Sequence, residues 1–519
     1  MDLAARTMGT SRRETRRAAT VIQVERITFP RPVRTDVLAG ASVALILIPQ
    51  SLAYAELAAL PPYIGLFASA LPLLAFCLLA SSPYLQTGPV AVTSLLTLAA
   101  LPDVEPAELP KLAALMALMV GIMRFVLGVA RLGRVVHLMS SPVVMGFTSG
   151  AAVVIMSSQL PKALGVPDSD SGVLRAALQA LSSPSDWSLS AVGLSVLTVV
   201  LFIGGRRISP LFPGVLVAVV IGIVYSQISD YPGTKVDDIP EGLPPVSFDL
   251  PWSEIPTLLL GATIIALVGF AEPASIARTF ANETGERWNA NQEMVASGVA
   301  NLVAAFSGAY PVGGSFSRSS VNRLAGAQTR WSGGVTGLIV LAFLPFARVL
   351  EPLPTAVLGA IVLAAVSTLA KPIRLARLWQ RSRTQALLAW TTAGATLFFT
   401  PRLERAVVLG VVLTFGLHFA RRFSMTRTRA DDGSVTVQPV GLMWMATDAD
   451  FADGLRAAAD ESSGPVTVDF ARSPFLNDAA IDAMSAVADE LAASGHELDW
   501  RDAPYGSERM LNDVHDQSS

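Results

Sequence analysis

Gln86-Thr87-Gly88-Pro89-Val90-Ala91-Val92 and Tyr310-Pro311-Val312-Gly313-Gly314-Ser315-Phe316-Ser317-Arg318 are two versions of one local device. In each, proline and glycine hold the backbone extended, and small or polar residues then open an apolar run. Those runs, Val90–Leu101 and Phe316–Ala325, are too short to span a bilayer alone. Non-helical backbone at membrane depth is tolerated only where it is buried in protein or lines a cavity. Interrupted segments at matching places in two halves of a chain point to a transporter's central site. The plainer alternative, prolines and glycines that only kink ordinary spans, does not require them to come in pairs.

The surrounding sequence is that of a membrane protein. Of 519 residues, 52% are hydrophobic and only 15% charged, with a mean hydropathy of +0.50. Soluble domains carry about a quarter charged residues. Runs near the spanning length are Val37–Leu60, Leu112–Ala130, Val135–Leu160, Thr257–Ala274, Trp331–Val349, Pro354–Ala370 and Ala406–Ala420. Shorter or broken runs are Tyr63–Ala80, Leu189–Ile203, Leu211–Tyr225, Gln292–Tyr310 and Ala386–Thr400. With the two interrupted runs, the total is about fourteen, and the interrupted pair falls third and tenth.

Basic residues collect at every second loop: Arg12, Arg13, Arg16, Arg17, Arg26, Arg31 and Arg34, then Arg131 and Arg134, Arg206 and Arg207, Arg330, Lys371 to Arg383, and Arg421 to Arg429. The loops between carry Asp103, Glu105 and Glu108, Asp168 and Asp170, and Asp230 to Glu241. The positive-inside rule then places both termini in the cytoplasm of a multi-pass protein of a bacterial-type inner membrane, bathed by lipid. The spacing of these arginines at span intervals argues against nucleic acid as a partner. No secretory signal is expected, and Asp2, Glu14 and Glu25 set the tail apart from an organelle transit peptide. The lone Cys77 permits no disulfide within the chain, and His137, His418, His496 and His515 show no metal-ligand spacing. No phosphate-cradling loop and no nucleophile–base constellation is present, so neither an enzyme nor a cofactor is expected.

An anion suits the two interrupted segments. A half-helix starting at the midplane aims free N–H groups and partial positive charge at the cavity. Arg318 adds a formal charge. Glu272, in Gly269-Phe270-Ala271-Glu272-Pro273, is an acid inside a span and so a functional candidate by default. It is placed to carry a proton, to pair with Arg318 or to hold a cation; a structural ion pair, or a position near the cytoplasmic end, is the plainer reading. Gln50 and Tyr54 share one helix face and are placed to line the cavity, whereas Glu56 falls toward the outer rim. Arg124 lies near enough to its helix end to snorkel, and no role is expected of it.

The stretches Asp36-Val37-Leu38-Ala39-Gly40, Ile48-Pro49-Gln50-Ser51-Leu52-Ala53-Tyr54-Ala55 and Leu60-Pro61-Pro62-Tyr63-Ile64-Gly65-Leu66-Phe67 resemble the opening signature of the SulP sulfate-permease family, which includes prestin and pendrin. Gly88-Pro89-Val90-Ala91-Val92 is similar to that family's third helix, Pro142-Val143-Val144-Met145-Gly146-Phe147-Thr148-Ser149-Gly150 to its fifth, and Asn301, Pro311 and Gly314-Ser315-Phe316-Ser317-Arg318 to its ninth and tenth. The resemblance implies an all-α polytopic fold of fourteen transmembrane segments, a 7+7 inverted repeat divided into core and gate domains. It also implies a homodimer and elevator-like movement of the core. The substrate site it implies comprises Gln50, Tyr54, Val90, Ala91, Ser315, Phe316, Ser317 and Arg318, with Glu272 as the coupling residue. A glutamate there is similar to proton-coupled members, where aspartate would suggest sodium.

Four divisions are expected: a basic tail at 1–35, the transport domain at 36–422, a small cytoplasmic α/β domain at 423–505 and a tail at 506–519. The α/β domain is read from β-type runs at Ser434–Val440, Val466–Phe470 and Glu497–Arg501, and amphipathic helices at Asp448–Glu461 and Ala479–Ser494. It resembles a STAS domain, with Ala479 in Phe475-Leu476-Asn477-Asp478-Ala479-Ala480 where related antagonists carry a phosphorylatable serine. The expected function is secondary active transport of small anions, of the sulfate, bicarbonate or dicarboxylate class, by proton-coupled symport. An uncoupled channel or exchanger is the alternative within transport. A nucleobase permease shares the implied fold but not these motifs, and a membrane sensor signalling through the C-terminal domain is the alternative outside transport.

Overall fold

The computed structural model describes residues 30–502, apart from 103, 134–140, 168–170, 237, 287, 368, 370–371, 421–423, 431–433, 441–447, 463, 472–483, 485–486, 489 and 493–497. The basic tail before residue 30, His137, the Phe475–Ala480 segment and most of the expected helix Ala479–Ser494 lie outside the described residues.

The first part of the chain is mainly helical. In order, its helices are α1 (Arg34–Leu57), α2 (Pro62–Ser69) and α3 (Leu71–Leu79), then strand β1 (Thr87–Gly88), α4 (Ala91–Ala100), α5 (Leu109–Val129), α6 (Ser141–Leu164), α7 (Val173–Ser182), α8 (Leu189–Ile208) and α9 (Gly214–Ile228). There follow α10 (Ile255–Thr284), α11 (Ala290–Phe306), strand β2 (Gly313–Gly314), α12 (Phe316–Leu324), α13 (Trp331–Phe343), α14 (Thr355–Val366), α15 (Pro372–Arg381), α16 (Arg383–Phe398) and α17 (Glu404–Ala420).

Among the described residues, seven helical stretches are long and apolar enough to cross a membrane: Arg34–Leu57, Pro62–Leu79, Leu109–Val129, Pro142–Leu164, Leu189–Ile208, Trp252–Thr284 and Trp331–Leu350. The other apolar runs fold as shorter helices, because proline, glycine or charge interrupts them. Length and composition alone therefore support seven spans, fewer than the sequence expectation. The run placed at Thr257–Ala274 continues ten residues further in α10, past Pro273, which removes one helical hydrogen bond without ending the helix.

The helices pack as two groups. In the first, α5 lies along α11 and α10, α11 lies along α3, and α13 lies along α1 and α3. In the second, α6 packs on α14 and α16, and α14 packs on α8. Helix α1 touches α14 and α9, and so joins the groups. Small residues permit the tight seams. A β-carbon on Gly121 of α5 would stand 2.7 Å from the Leu302 amide nitrogen of α11, and one on Gly146 of α6 would stand 2.1 Å from the Ala389 carbonyl of α16. Asp36, fully buried, fastens the start of α1 to the chain before α13. It accepts hydrogen bonds from the Gln328 and Thr329 amides at 2.9 Å each.

A separate hydrophobic cluster lies in the C-terminal part, built on β3 (Ser424–Arg429), β4 (Val435–Val440), α18 (Asp448–Glu461), β5 (Val466–Asp469) and β6 (Leu498–Arg501). The strand order is β3-β4-β5-β6, antiparallel across the first pair and parallel across the next two. Val435, Val437, Val466 and Val468 point into its core with Phe451 and Leu455 of α18, as strand alternation and helix periodicity require. The strand Ser424–Arg429 carries alternating Arg and Thr and was not singled out in the sequence.

Candidate functional site: two half-helices joined by a strand pair

The two interrupted segments meet. Strands β1 and β2 pair antiparallel, with Thr87 opposite Gly314 and Gly88 opposite Gly313. The Ser315 amide extends the ladder by donating to the Gln86 carbonyl at 3.0 Å. Because the strands run in opposite directions, α4 and α12 lead away from the pair in opposite directions. Their amide-rich starts remain at its two ends. Neither segment belongs to a continuous helix. The pair is compact enough to demand glycine. Gly88 has a φ of +141°, a conformation that side chains disfavour. A β-carbon on Gly314 would stand 2.9 Å from side chains of both Leu85 and Pro273.

Neighbouring helices hold both segments. The Asn301 amide on α11 grips Val312 from both sides, its oxygen accepting from the Val312 amide at 2.9 Å and its nitrogen donating to the Val312 carbonyl at 3.2 Å. Ser94 on α4 and Tyr310 before β2 share a hydroxyl–hydroxyl hydrogen bond of 3.0 Å. The Gln86 amide donates to Ser319 of α12 at 2.9 Å, and Asn322 of α12 donates to the Tyr84 carbonyl at 3.1 Å. Each segment is thus braced by the half-helix of the other.

Three buried residues, two of them beside this pair, carry polar groups without protein hydrogen bonds. All three guanidinium nitrogens of Arg318 lack a hydrogen bond, although the residue is wholly buried. Its Nη2 lies 3.6 Å from the point a β-carbon on Gly88 would occupy. Both amide atoms of Gln50 are likewise unpartnered and buried, as is the Thr93 hydroxyl in the first turn of α4. The latter sits 3.1 Å from the corresponding point on Gly313. Buried polar atoms are almost always paired, so these unpartnered groups set Arg318, Gln50 and Thr93 apart from ordinary helix packing.

The remaining sequence candidates distribute as follows. Val90 is the N-cap of α4 and Ala91 its first residue, both buried. Ser315 caps α12, its hydroxyl 3.5 Å from the Arg318 amide and 3.4 Å from the Ser317 hydroxyl. Phe316 is exposed at 54% and stacks on Phe280 of α10, so the start of α12 is open on that side. Tyr54 is buried on α1, within electrostatic reach of both Arg318 and Glu272. Glu272 is partly buried, and its neighbour Pro273 packs on Gly314. It therefore sits level with the strand pair, not at an end of α10. Glu56 stands apart, 3.2 Å from Lys162 in an ion pair.

Arg124 overturns an expectation. It does not snorkel: it is completely buried and donates to the carbonyls of Ile265 at 2.8 Å, Ala266 at 3.1 Å and Val312 at 3.1 Å, and to the Ser297 hydroxyl at 3.0 Å. Arg124 lies on the face of α5 that α10 and α11 cover, so it has no path to the interface. Glu293, at the start of α11, also escaped notice. Its Oε2 accepts from the Ser81 and Ser82 amides at 2.9 and 2.8 Å and from the Trp288 indole at 3.3 Å. Thr93 carries no periodicity or motif that separates it from ordinary helix residues.

These features define a polytopic membrane protein whose central polar site is built from two half-helices. Residues 33–392 match the model of the sulfate permease family, and the chain belongs to that family. It is 35% identical over 399 residues to a probable sulfate transporter 4.2 of Arabidopsis thaliana, covering 74% of this chain and 59% of that protein. It is equally 35% identical over 381 residues to a probable sulfate transporter of Mycobacterium tuberculosis, covering 71% and 67%. The matched part thus spans about three fifths of the Arabidopsis relative's length. The fold is shared with the murine solute carrier 26 family member A9 anion transporter in its inward-facing state, at a TM-score of 0.68 and 19% identity over 95% of this chain and 89% of that one. The transmembrane domain of the cyanobacterial bicarbonate transporter BicA gives a TM-score of 0.63 and 21% identity over 74% and 98%. The curated relatives bear transporter names, not enzyme names.

Proposed function

We propose that this protein is a secondary active transporter of small anions, of the sulfate, bicarbonate or dicarboxylate class, driven by proton symport. The single observation that carries the reading is Arg318: a buried guanidinium with no protein hydrogen bond at the start of a half-helix. A buried cation without a partner is costly unless an anion completes it. The unpartnered amide of Gln50, the Ser315 and Ser317 hydroxyls and the backbone of Val90 and Ala91 suit an oxyanion in the same seat, with Tyr54 and Phe316 as walls. Glu272, within electrostatic reach of Arg318, is the proton carrier.

The sulfate and bicarbonate named for relatives support the substrate class. The two packing groups of helices suit an elevator-like step, in which the group carrying the strand pair moves against the other as the core moves against the gate. Within this reading, residues 36–422 make fourteen spans in two inverted halves and residues 423–505 a cytoplasmic STAS domain. The protein is a homodimer of the inner membrane with both termini in the cytoplasm. Uptake of labelled anions into proteoliposomes, with and without a pH gradient, tests it. Concentrative uptake that follows the pH gradient supports symport. Flux that only equilibrates the anion assigns a channel or exchanger instead, and no flux of any anion would favour the sensor reading.

A further inference from the structure

Two arginines bracket the strand pair, and only one of them is explained by direct contact with an anion. Arg318 approaches Gly88, whereas Arg124 holds the carbonyl of Val312, the residue next to Gly313, which is Gly88's partner across the strands. All four of the Arg124 hydrogen bonds end on neutral oxygens, three backbone carbonyls and the Ser297 hydroxyl. No described carboxylate forms a salt bridge with it among the ion pairs found.

The structure makes room for this cation. A β-carbon on Gly269 would stand 2.6 Å from Arg124 Nη2, so glycine on α10 is what admits the guanidinium. The same point lies 3.5 Å from the unpartnered Thr93 hydroxyl. The guanidinium is thus separated from the strand pair by about one layer of atoms. Lysine could not replace it in kind, because its ammonium has three donors on one atom, whereas the guanidinium fork reaches acceptors on α10, on α11 and in the second extended segment at once.

We propose that Arg124 is a positioning residue for the transported anion. It pins the Val312 end of the second extended segment and supplies a fixed positive charge behind the seat, which sets the preference for divalent over monovalent anions. This rests on the anion reading above. The reason for charge discrimination is Coulombic: at one distance, a fixed charge acts on a dianion with twice the energy it exerts on a monoanion. Removing that charge therefore multiplies the dissociation constant of a dianion by the square of the factor for a monoanion. A loss of packing or rigidity multiplies both by the same factor.

Isothermal titration of the detergent-solubilised full chain with sulfate and with nitrate, at matched ionic strength, tests this. In Arg124→Gln, the fold-loss for sulfate is expected to be the square of that for nitrate. Arg124→Lys keeps the charge but breaks the fork; it is expected to keep the wild-type sulfate-to-nitrate ratio while slowing maximal uptake. Equal fold-losses in Arg124→Gln overturn the electrostatic role. Should that variant not fold, a changed ratio in Arg124→Lys overturns it instead, and an unchanged ratio with slowed uptake supports it. Failure of the underlying reading looks different: wild type then shows no saturable binding of either anion, or Arg318→Gln binds both as wild type does.

Discussion

Arg318 and Gly88 meet across the strand pair, with a terminal guanidinium nitrogen 3.6 Å from where a β-carbon on Gly88 would stand. The cation comes from the second half of the chain and the bare backbone beside it from the first. Neither half could build the seat alone, and several tests follow from how closely the two approach.

Arg318→Met should separate stability from function. An apolar side chain of similar length removes a buried charge that no protein group hydrogen-bonds, so stability in anion-free detergent should hold or rise by about 1–3 kcal/mol. Anion uptake should vanish. Thermal unfolding paired with proteoliposome uptake checks both, and a variant that melts early would indicate that Arg318 is a structural residue.

Gly88→Ala should cost about 1–3 kcal/mol through its φ of +141° alone. The strain falls where β1 pairs with β2, so uptake should drop more than the loss of folded protein explains. Comparing uptake per folded molecule with wild type measures this.

Glu272→Gln should preserve anion binding and abolish accumulation driven by a pH gradient. Glutamine keeps the shape and the hydrogen-bonding capacity of the protonated acid but cannot release the proton. Titration of binding alongside uptake at two external pH values decides it; unchanged dependence on the gradient would remove Glu272 from the coupling step.

A tryptophan at Ser315 or Ser317 should block transport. Ser315 is buried and should also lose about 1–3 kcal/mol to overpacking, whereas Ser317 is partly exposed and should fold nearly as wild type. Ser317→Trp is therefore the cleaner probe. Full uptake in that variant would move the site away from α12.

Glu293→Gln should destabilise the fold by about 1–3 kcal/mol. One carboxylate oxygen collects two amides and an indole there, and a neutral amide accepts them more weakly. Chemical unfolding in detergent would show the loss, and an unaltered midpoint would mean that water or another group takes over the bonding.

Much of the candidate site's local backbone was legible because its rules are local. Gly88, Pro89, Pro311, Gly313 and Gly314 announce extended backbone wherever they occur, and their occurrence twice, before short apolar runs, announces a pair. Arg318 and Glu272 stood out because charge is rare in such surroundings. Arg124 misled for the opposite reason. Its position on α5 was read against a lipid boundary, when the glycine seams at Gly121 and Gly298 draw α11 over it and close that route. Length criteria similarly recognise the long spans and pass over α4 and α12, whose shortness is the point of them.

From the order of residues alone came the membrane character, the paired interruptions and the charged candidates, because hydropathy, backbone preference and the cost of buried charge act residue by residue. Only the tertiary structure decided that β1 and β2 pair with Gly88 opposite Gly313, that Asn301 and Arg124 grip Val312, and that the polar atoms of Gln50, Thr93 and Arg318 are left without partners. Apart from the Asn301 grip, eleven residues along the chain, those are relations between segments some two hundred residues apart, and close packing of several helices at once, not any local preference, sets them.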